Sequence, residues 1–473
     1  MTDWIQSAAP RIRLAFGLLC LHAVFTIPWA LVDRDMSAPG FLVLGGWLAV
    51  ALIALPIARE RLAGRGYWVC LVSLLVCARI PALLLAEGAS LKGDAEIYEM
   101  LARSLLAGDG LIFHDPLTQV AFRALFPPFY PLVLAGLGAV FELGAATFWG
   151  VNVAIDLASA LVLAGVGARL GSPAVGRAAS WLFALWPAFA FASPFAQKES
   201  LVTLQVLAIA FLLLRLERGR SSGWKDGILM GLAAASLMLT QPGLALLPAI
   251  FGLVLLPSVG VQPLRSLLLK ALPAALLLLL PWWIRNFDLF GSFVPLTTTG
   301  GLGLWVGNNP QATGGWMPMP ASYRGMPEVE MSRRAAHEAL AWIGGNPVDF
   351  VRLTAFKLFR ALGVEQVTLA RFDLMAPRPG AAVYAALFPL LQGSLIAVLA
   401  AAALVGDRVR RLDRGDRLVL LLGGCALQIL LFSLPFEFGE RHRWFLMPFL
   451  FLLVATGMTS ARATGSRRPI EPL

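Results

Sequence analysis

The sequence predicts an all-α, polytopic transmembrane protein, and three observations indicate this fold class. The 473-residue chain is 58% hydrophobic and 14% charged, whereas soluble domains are roughly 45–50% apolar and about 25% charged. Its mean hydropathy is +0.75. Long apolar runs recur along the chain without a polar linker between them. We therefore predict one membrane domain over residues 1–460 and a cytoplasmic tail over residues 461–473.

The apolar runs define the individual spans. A helix needs about 20 mostly apolar residues to cross the hydrocarbon core of a bilayer. About twelve runs approach this requirement. They cover residues 14–32, 40–58, 67–87, 147–168, 178–195, 199–215, 227–241, 243–257, 266–284, 381–404, 417–434 and 443–460.

The positions of Lys and Arg orient these spans. More than half of the 38 basic residues fall in short connections that the span count places on one side, including the dense run over residues 408–417. Cytoplasmic loops of membrane proteins collect Lys and Arg in this way. Both termini are therefore predicted in the cytoplasm, and the net charge of +10 indicates topology, with no nucleic-acid partner.

Two connections on the opposite, outer side are long. The first, residues 88–146, contains a predicted amphipathic helix with Asp94 as its N-cap, and a re-entrant or interfacial helix over 132–141. The second, residues 285–380, contains a Gly-rich and Asn-rich run over 300–310, predicted as a tight loop near a cavity. An amphipathic segment follows over 347–362.

Ionisable side chains gather at the outer ends of the predicted helices. They are Asp94, Glu96, Arg123, Lys198, Glu199, Arg285, Glu440, Arg441, His442 and Arg443. Such groups are costly near a bilayer, so a functional site is one interpretation; anchoring of each cation at the interface is the other. A positioned carboxylate such as Asp94 suits a general base, and arginine suits forked recognition of phosphate.

Asn152 and Asp156 are a separate polar pair within the predicted span 147–168. Their spacing of four residues places them on one helix face. A buried structural hydrogen bond is the interpretation that we favour, and a proton relay is the alternative if the protein is a transporter.

Several of these residues, in this order, resemble the polytopic GT-C glycosyltransferases. The segments that carry the resemblance are Asp94 with Glu96 and Tyr98, Pro127 to Pro131, Glu199, Arg285 to Pro295, Gly307 to Pro310, and Glu440 to Arg443. Together they look most like the bacterial relatives of the dolichyl-phosphate-mannose-protein mannosyltransferases and of undecaprenyl-phosphate aminoarabinose transferase.

The resemblance implies transfer of a sugar from a polyprenyl-phosphate donor to a glycan, lipid or protein acceptor. The reaction would take place at the periplasmic face of the bacterial inner membrane. Asp94 would be the general base, and Glu199 a second catalytic residue. The implied substrate-binding residues are Glu96, Arg123, Tyr130, Lys198, Arg285, Asn308, Arg441, His442 and Arg443. No spacing of ligands indicates a metal, so no cofactor is required by the sequence, although a divalent cation serves some relatives.

Three other kinds of membrane protein remain as alternatives. A secondary transporter would concentrate its polar groups near the middle of the bilayer, whereas this chain concentrates them at the outer surface. A flippase for lipid-linked sugars would share the outer arginines. An O-antigen ligase or polymerase would be expected to rely on Arg and His more than on Asp94.

Overall fold

The computed structural model describes residues 2–30, 38–60 and 64–458, so the predicted tail over 461–473 lies outside the described residues. The fold is all-α, as predicted. The α-helices are Thr2–Phe25 (α1), Ile27–Ala30 (α2), Ala38–Glu60 (α3), Arg65–Ala86 (α4), Asp94–Ala107 (α5), Phe129–Gly138 (α6), Ala145–Arg169 (α7), Pro173–Leu185 (α8), Pro187–Ala192 (α9), Glu199–Leu214 (α10), Trp224–Met238 (α11), Leu247–Val259 (α12), Val261–Phe290 (α13), Thr299–Gly307 (α14), Glu328–Gly345 (α15), Pro347–Gly363 (α16), Val367–Asp373 (α17), Ala381–Val405 (α18), Gly415–Phe432 (α19) and Met447–Met458 (α20).

Every predicted span overlaps at least one helix in the part of the chain that the structure describes, although several spans also include turns. Within the described ranges, six helical stretches are long and apolar enough to cross a membrane by length and composition. They are Arg65–Ala86, Ala145–Arg169, Pro242–Val259, Val261–Phe290, Ala381–Arg411 and Gly415–Phe432. The chain is a multi-pass membrane protein, and the count of about twelve spans stays a prediction.

Two very short strands pair the two long loops that are predicted on the outer side. Strand β1 (Ser90–Leu91) in the first outer loop pairs antiparallel with β4 (Met375–Ala376) in the second. A separate hairpin in the first loop joins β2 (Phe113–Asp115) to β3 (Val120–Phe122). Since β1 lies just before α5 and β4 just after α17, this pairing brings the start of α5 close to α17.

Glycines allow α11 and α13 to pack closely. A Cβ atom at Gly231 would overlap the Ala271 carbonyl oxygen, and one at Gly227 would overlap the Lys270 Cβ. Small residues four positions apart are typical of helices that approach closely within membranes. The two glycines therefore determine the distance between these helices.

The structure corrects two local predictions. Gly93, with a positive φ of 71°, is the N-cap of α5, and Asp94 is the first helical residue, where a carboxylate still complements the helix dipole. The run predicted as a tight loop over 300–310 mostly forms α14, which ends at Gly307. Burial of Leu302 and Trp305 stabilises this helix against α15 despite its glycines.

Asp156 and Asn152 are both buried, but their partners lie on other elements. Asp156 Oδ2 pairs with Arg79 Nη2 at 2.7 Å, and both side chains are 0% exposed. The Asn152 amide donates to the carbonyl oxygens of Ser193 and Phe195, both at 2.9 Å. Both residues thus form buried hydrogen bonds, as the favoured interpretation predicts, whereas the partner Arg79 was not foreseen.

We expect Asp156→Ala to destabilise the fold by about 3–5 kcal/mol, because it leaves the Arg79 guanidinium buried without a counter-ion. Thermal unfolding of the purified protein in detergent micelles measures this loss. The double variant Arg79→Met with Asp156→Leu is the control, since an apolar pair of similar volume is expected to restore most of the stability. A single variant as stable as the unmodified chain would contradict the prediction.

Candidate functional site

Four separate segments of the chain meet around Asp94. They are the start of α5, the start of α10, the short helix α17, and the 3₁₀ turn Glu440–Leu446 that precedes α20. Each contributes at least one charged side chain, and the pairing of β1 with β4 brings two of the segments together.

An ion pair between Asp94 and Arg441 is at the centre of this cluster. Asp94 Oδ2 lies 2.6 Å from Arg441 Nη1, and the two side chains are 37% and 25% exposed. Burial raises the pKa of Asp94, but the charges of Arg441 and Arg371 outweigh this effect and lower the pKa to about 2. Asp94 is therefore an ionised and partly accessible carboxylate at neutral pH.

Glu199 lies between two guanidinium groups. Its Oε1 is 3.3 Å from Arg371 Nη2 and 3.6 Å from Arg441 Nε. The residue is 7% exposed, and its other carboxylate oxygen, Oε2, has no hydrogen-bond partner among the described residues. Glu199 thus brings the guanidinium groups of Arg371 and Arg441 to the same carboxylate oxygen.

Lys198 and His442 complete the polar part of the cluster. Burial lowers the pKa of Lys198 to about 8, although the charge of Glu199 acts to raise it. Burial, followed by the positive charges of Arg441 and Lys198, lowers the pKa of His442 to about 3. The imidazole is therefore neutral at pH 7, and Lys198 is mostly protonated.

The charges of the cluster favour an anion. Three cations, Lys198, Arg371 and Arg441, face the two carboxylates Asp94 and Glu199. Glu437 acts on Lys198 and Arg441 from the adjoining loop, where burial raises its own pKa. An anionic group with several oxygens could take over guanidinium donors that are now shared with Asp94 and Glu199.

A small cavity opens beside these charges. Its polar wall includes Lys198, Glu199 and Arg441. Its remaining lining residues are Val202, Gln241, Leu244, His442, Trp444 and Phe445. The cavity measures about 20 Å³, and its lining combines ionic with apolar side chains, the chemistry that suits a ligand with a charged head and a hydrocarbon tail.

The structure brings together six residues predicted from the sequence. They are Asp94, Tyr130, Lys198, Glu199, Arg441 and His442. Tyr130 is fully buried and packs edge-on against Tyr98, with ring centres 5.1 Å apart. Burial, with the nearby charge of Glu199, raises the pKa of the Tyr130 phenol, so this hydroxyl remains protonated.

Three predicted residues make their contacts elsewhere. Glu96 forms an exposed ion pair with Lys92 at 2.7 Å. Arg443 is buried and pairs with Glu365 at 2.7 Å. Asn308 is fully buried, and its amide donates to the carbonyl oxygens of Leu304 and Pro435, so it holds backbone segments together.

Arg123 and Arg285 line a different, open groove of about 460 Å³, which also contains Asp109 and Asp288. Arg285 Nη2 donates to the Arg123 carbonyl oxygen at 3.0 Å, and its guanidinium lies 4.6 Å from the centre of the Trp282 ring. Two arginines facing two aspartates leave this groove without an excess of positive charge.

Arg371 belongs to the site but was not among the predicted residues. It is 8% exposed and contacts Glu199. In the sequence it lies inside the second outer loop, beside Asp373, and no local pattern separates it from the other loop cations. Its role depends on the β1–β4 pairing, and strands of two residues leave no recognisable pattern.

No group of three His, Cys, Asp or Glu side chains that could hold a metal ion occurs in the part of the chain that the structure describes. Asp94 and Glu199, the carboxylates of the cluster, are paired with guanidinium groups.

No protein-family model matches the chain, and no curated protein matches it either. Solved structures with a similar fold include the Archaeoglobus fulgidus oligosaccharyltransferase tethered with an acceptor peptide containing the NVT sequon. It has 13% identity and a TM-score of 0.49, and the match covers 83% of this chain and 49% of that chain. The same enzyme in complex with Zn and sulfate has 12% identity and a TM-score of 0.49, with coverage of 82% and 48%.

ArnT from Cupriavidus metallidurans, bound to undecaprenyl phosphate, has 15% identity and a TM-score of 0.41. This match covers 84% of this chain and 78% of that chain. Both neighbours are GT-C glycosyltransferases, the class that the sequence resembles. The chain spans about half the length of the oligosaccharyltransferase. Similarity at this level says nothing about the reaction.

Proposed function

We propose that the protein is a membrane glycosyltransferase that moves a sugar from a polyprenyl-phosphate donor to an acceptor hydroxyl. The observation that carries the proposal is the ion pair of Asp94 with Arg441 beside a cavity lined by both ionic and apolar side chains. The ionic groups suit a lipid phosphate, the apolar side chains suit its hydrocarbon tail, and the carboxylate supplies a base next to them.

The proposed reaction is a single displacement. The acceptor oxygen forms a bond to the anomeric carbon of the sugar, and the bond from that carbon to the phosphate oxygen breaks. Asp94 takes the proton of the acceptor hydroxyl, and polyprenyl phosphate leaves with the electron pair. Arg441, Lys198 and Arg371 stabilise the charge that grows on this phosphate.

Because Asp94 is paired with Arg441, binding of the donor would also change the basicity of Asp94. A carboxylate with a pKa of about 2 is a weak base, since general bases work best with a pKa nearer the working pH. A donor phosphate that takes the Arg441 donors removes a positive charge from Asp94, and the pKa of Asp94 then rises. Donor binding would therefore activate the base, and this favours an order in which the donor binds first.

Glu199 acts in this proposal through the arginines. Because it contacts both Arg371 and Arg441, its carboxylate sets their positions and balances their charge before the donor arrives. We therefore place Glu199 as a positioning residue and Asp94 as the only base.

The proposal places the site at the periplasmic side of the bacterial inner membrane. The concentration of Lys and Arg in the short loops assigned to the other side supports this orientation. The site segments belong to the two long loops and to the ends of α10 and α20 that are predicted on the outer side.

Lys198 predicts a pH dependence of donor use. Its protonated form attracts phosphate, and its pKa in the free protein is about 8, so donor affinity should be full below this pH and fall as the pH rises through 8. The KM for the donor, measured between pH 6.5 and 9.5, reports the change. Lys198→Arg should remove it, because arginine stays charged over this range. A KM that varies equally in both proteins would contradict the assignment.

Mass spectrometry of envelope glycans and lipids, from cells with and without the protein, tests the function and names the sugar and the acceptor. A glycan or lipid that loses one sugar in the absence of the protein is the expected result. Unchanged glycans and lipids, together with a transported solute that depends on the protein, would replace the proposal by the transporter alternative. The same assay in membranes, with and without EDTA, tests the divalent cation.

A further inference from the structure

Helix α16 of the second outer loop contacts the segment that carries Arg441 at several points. The contacts run from Leu434 to Trp444, so they lie on both sides of Arg441 in the sequence. Their α16 partners are Lys357, Arg360 and Ala361, and Glu365 lies two residues beyond the helix.

Two ion pairs flank Arg441 and His442. On one side, Arg360 Nη2 lies 3.1 Å from Glu440 Oε1. On the other side, Arg443 Nη2 lies 2.7 Å from Glu365 Oε2, and the Trp444 indole donates to Glu365 Oε1 at 3.0 Å. The acidic partner in each pair is at most 6% exposed.

Lys357 adds a third connection. It is 1% exposed, and its ammonium donates to the Leu434 carbonyl oxygen at 3.1 Å and to Asn308 Oδ1 at 3.4 Å. Arg443 also donates to the Ala361 carbonyl oxygen at the end of α16. The backbone around Arg441 is therefore held by charged and polar contacts to α16 and to Glu365 just beyond it.

From this arrangement we propose that Glu440 and Glu365 are positioning residues, which hold the Arg441 guanidinium where a donor phosphate can reach it. The inference rests on the proposed function, because it concerns the same donor site. It gives the ion pairs of Glu440 and Glu365 a role in donor binding. Buried ion pairs add little net stability on average.

An effect of Glu440 through its charge and an effect through the position of Arg441 predict opposite changes in phosphate binding when Glu440 is neutralised. Glu440→Gln removes a negative charge next to an anion site, and on charge alone the site should bind phosphate more tightly. If Glu440 positions Arg441, the same change should weaken binding, because the flanking turn loses its ionic attraction to Arg360. The direction of the change therefore separates the two explanations.

The experiment measures binding of undecaprenyl phosphate to the full chain, purified in detergent micelles, with thermal unfolding recorded for each variant. Glu440→Gln is expected to raise the Kd about tenfold, as a small misplacement of a binding group does. Glu99→Gln is the matched control. Glu99 also forms an ion pair, with Arg103 at 2.7 Å, outside the cluster, and its loss should leave the Kd unchanged.

A double-mutant cycle tests whether the pair acts as a unit. Arg360→Gln should weaken binding, and combining it with Glu440→Gln should add little to either single change. Glu365→Gln should also weaken binding, but it leaves Arg443 buried without its partner, so Glu440 gives the safer test. A folded Glu440→Gln protein that binds as tightly as the unmodified chain, or more tightly, would overturn the inference. If the unmodified chain itself does not bind undecaprenyl phosphate, the proposed function fails instead.

Discussion

Asp94→Asn is expected to reduce sugar transfer by on the order of 10²–10⁴-fold, the usual contribution of a general base. The amide is nearly isosteric with the carboxylate but does not accept the proton of the acceptor hydroxyl. Donor binding should be retained or strengthened, because Arg441 loses the carboxylate that competes with the donor phosphate. Transfer is measured by mass spectrometry of the envelope products, and binding with undecaprenyl phosphate on the purified protein.

The combination of the two measurements makes this prediction specific. A variant that failed to fold would lose binding as well as transfer, whereas loss of the base removes transfer alone. Asp349→Asn is a suitable control, since Asp349 lies in the first turn of α16, away from the cluster. Near-normal turnover by the Asp94 variant would rule out Asp94 as the base.

Arg441→Gln is expected to weaken binding of undecaprenyl phosphate by roughly 10- to 100-fold, since hydrogen bonds to charged groups contribute about 1.5–3 kcal/mol. The loss of transfer should be larger than the loss of binding, because the charge on the leaving phosphate grows in the transition state. The comparison of Kd with kcat for the same protein measures this difference.

The same variant should change the pH profile in a defined direction. Arg441 is the main charge that lowers the pKa of Asp94 to about 2, so its removal raises that pKa. Asp94 acts only when ionised, and the acid limb of the kcat/KM profile, which reports the free enzyme, should therefore move to higher pH. Arg220→Gln, at an exposed pair with Glu217, is the control. An unchanged acid limb in the Arg441 variant would show that the two groups are not coupled during catalysis.

The long apolar helices could be predicted from the sequence because membrane burial leaves a long apolar run for each of them, whereas α15 and α17 have no such run and were not predicted. The points at which one helix ends and the next begins within an apolar run were harder to predict. The run over 178–195 is divided between α8 and α9, since Pro187 starts a new helix after the extended residue Trp186. In α14 the glycines suggested a loop, but burial of its apolar side chains outweighs their low helix propensity.

Asp94 and Arg441 could be identified because charged residues are rare in this chain. Arg443, only two residues from Arg441, could not be separated from it by sequence, because its partner Glu365 lies far away in the chain. Arg371 and Arg79 were missed for the same reason. An ion pair between distant segments leaves no local pattern, and only the folded chain shows which arginine is already neutralised.

Asp94 and Arg441 lie far apart in the sequence, and this separation has a consequence for biosynthesis. Asp94 follows α4 and leaves the ribosome early, whereas Arg441 follows α19 and precedes α20. The ion pair between them therefore forms only after nearly all described helices have been made. If the proposed function is correct, a partly synthesised chain has no assembled phosphate site and should not bind polyprenyl phosphate.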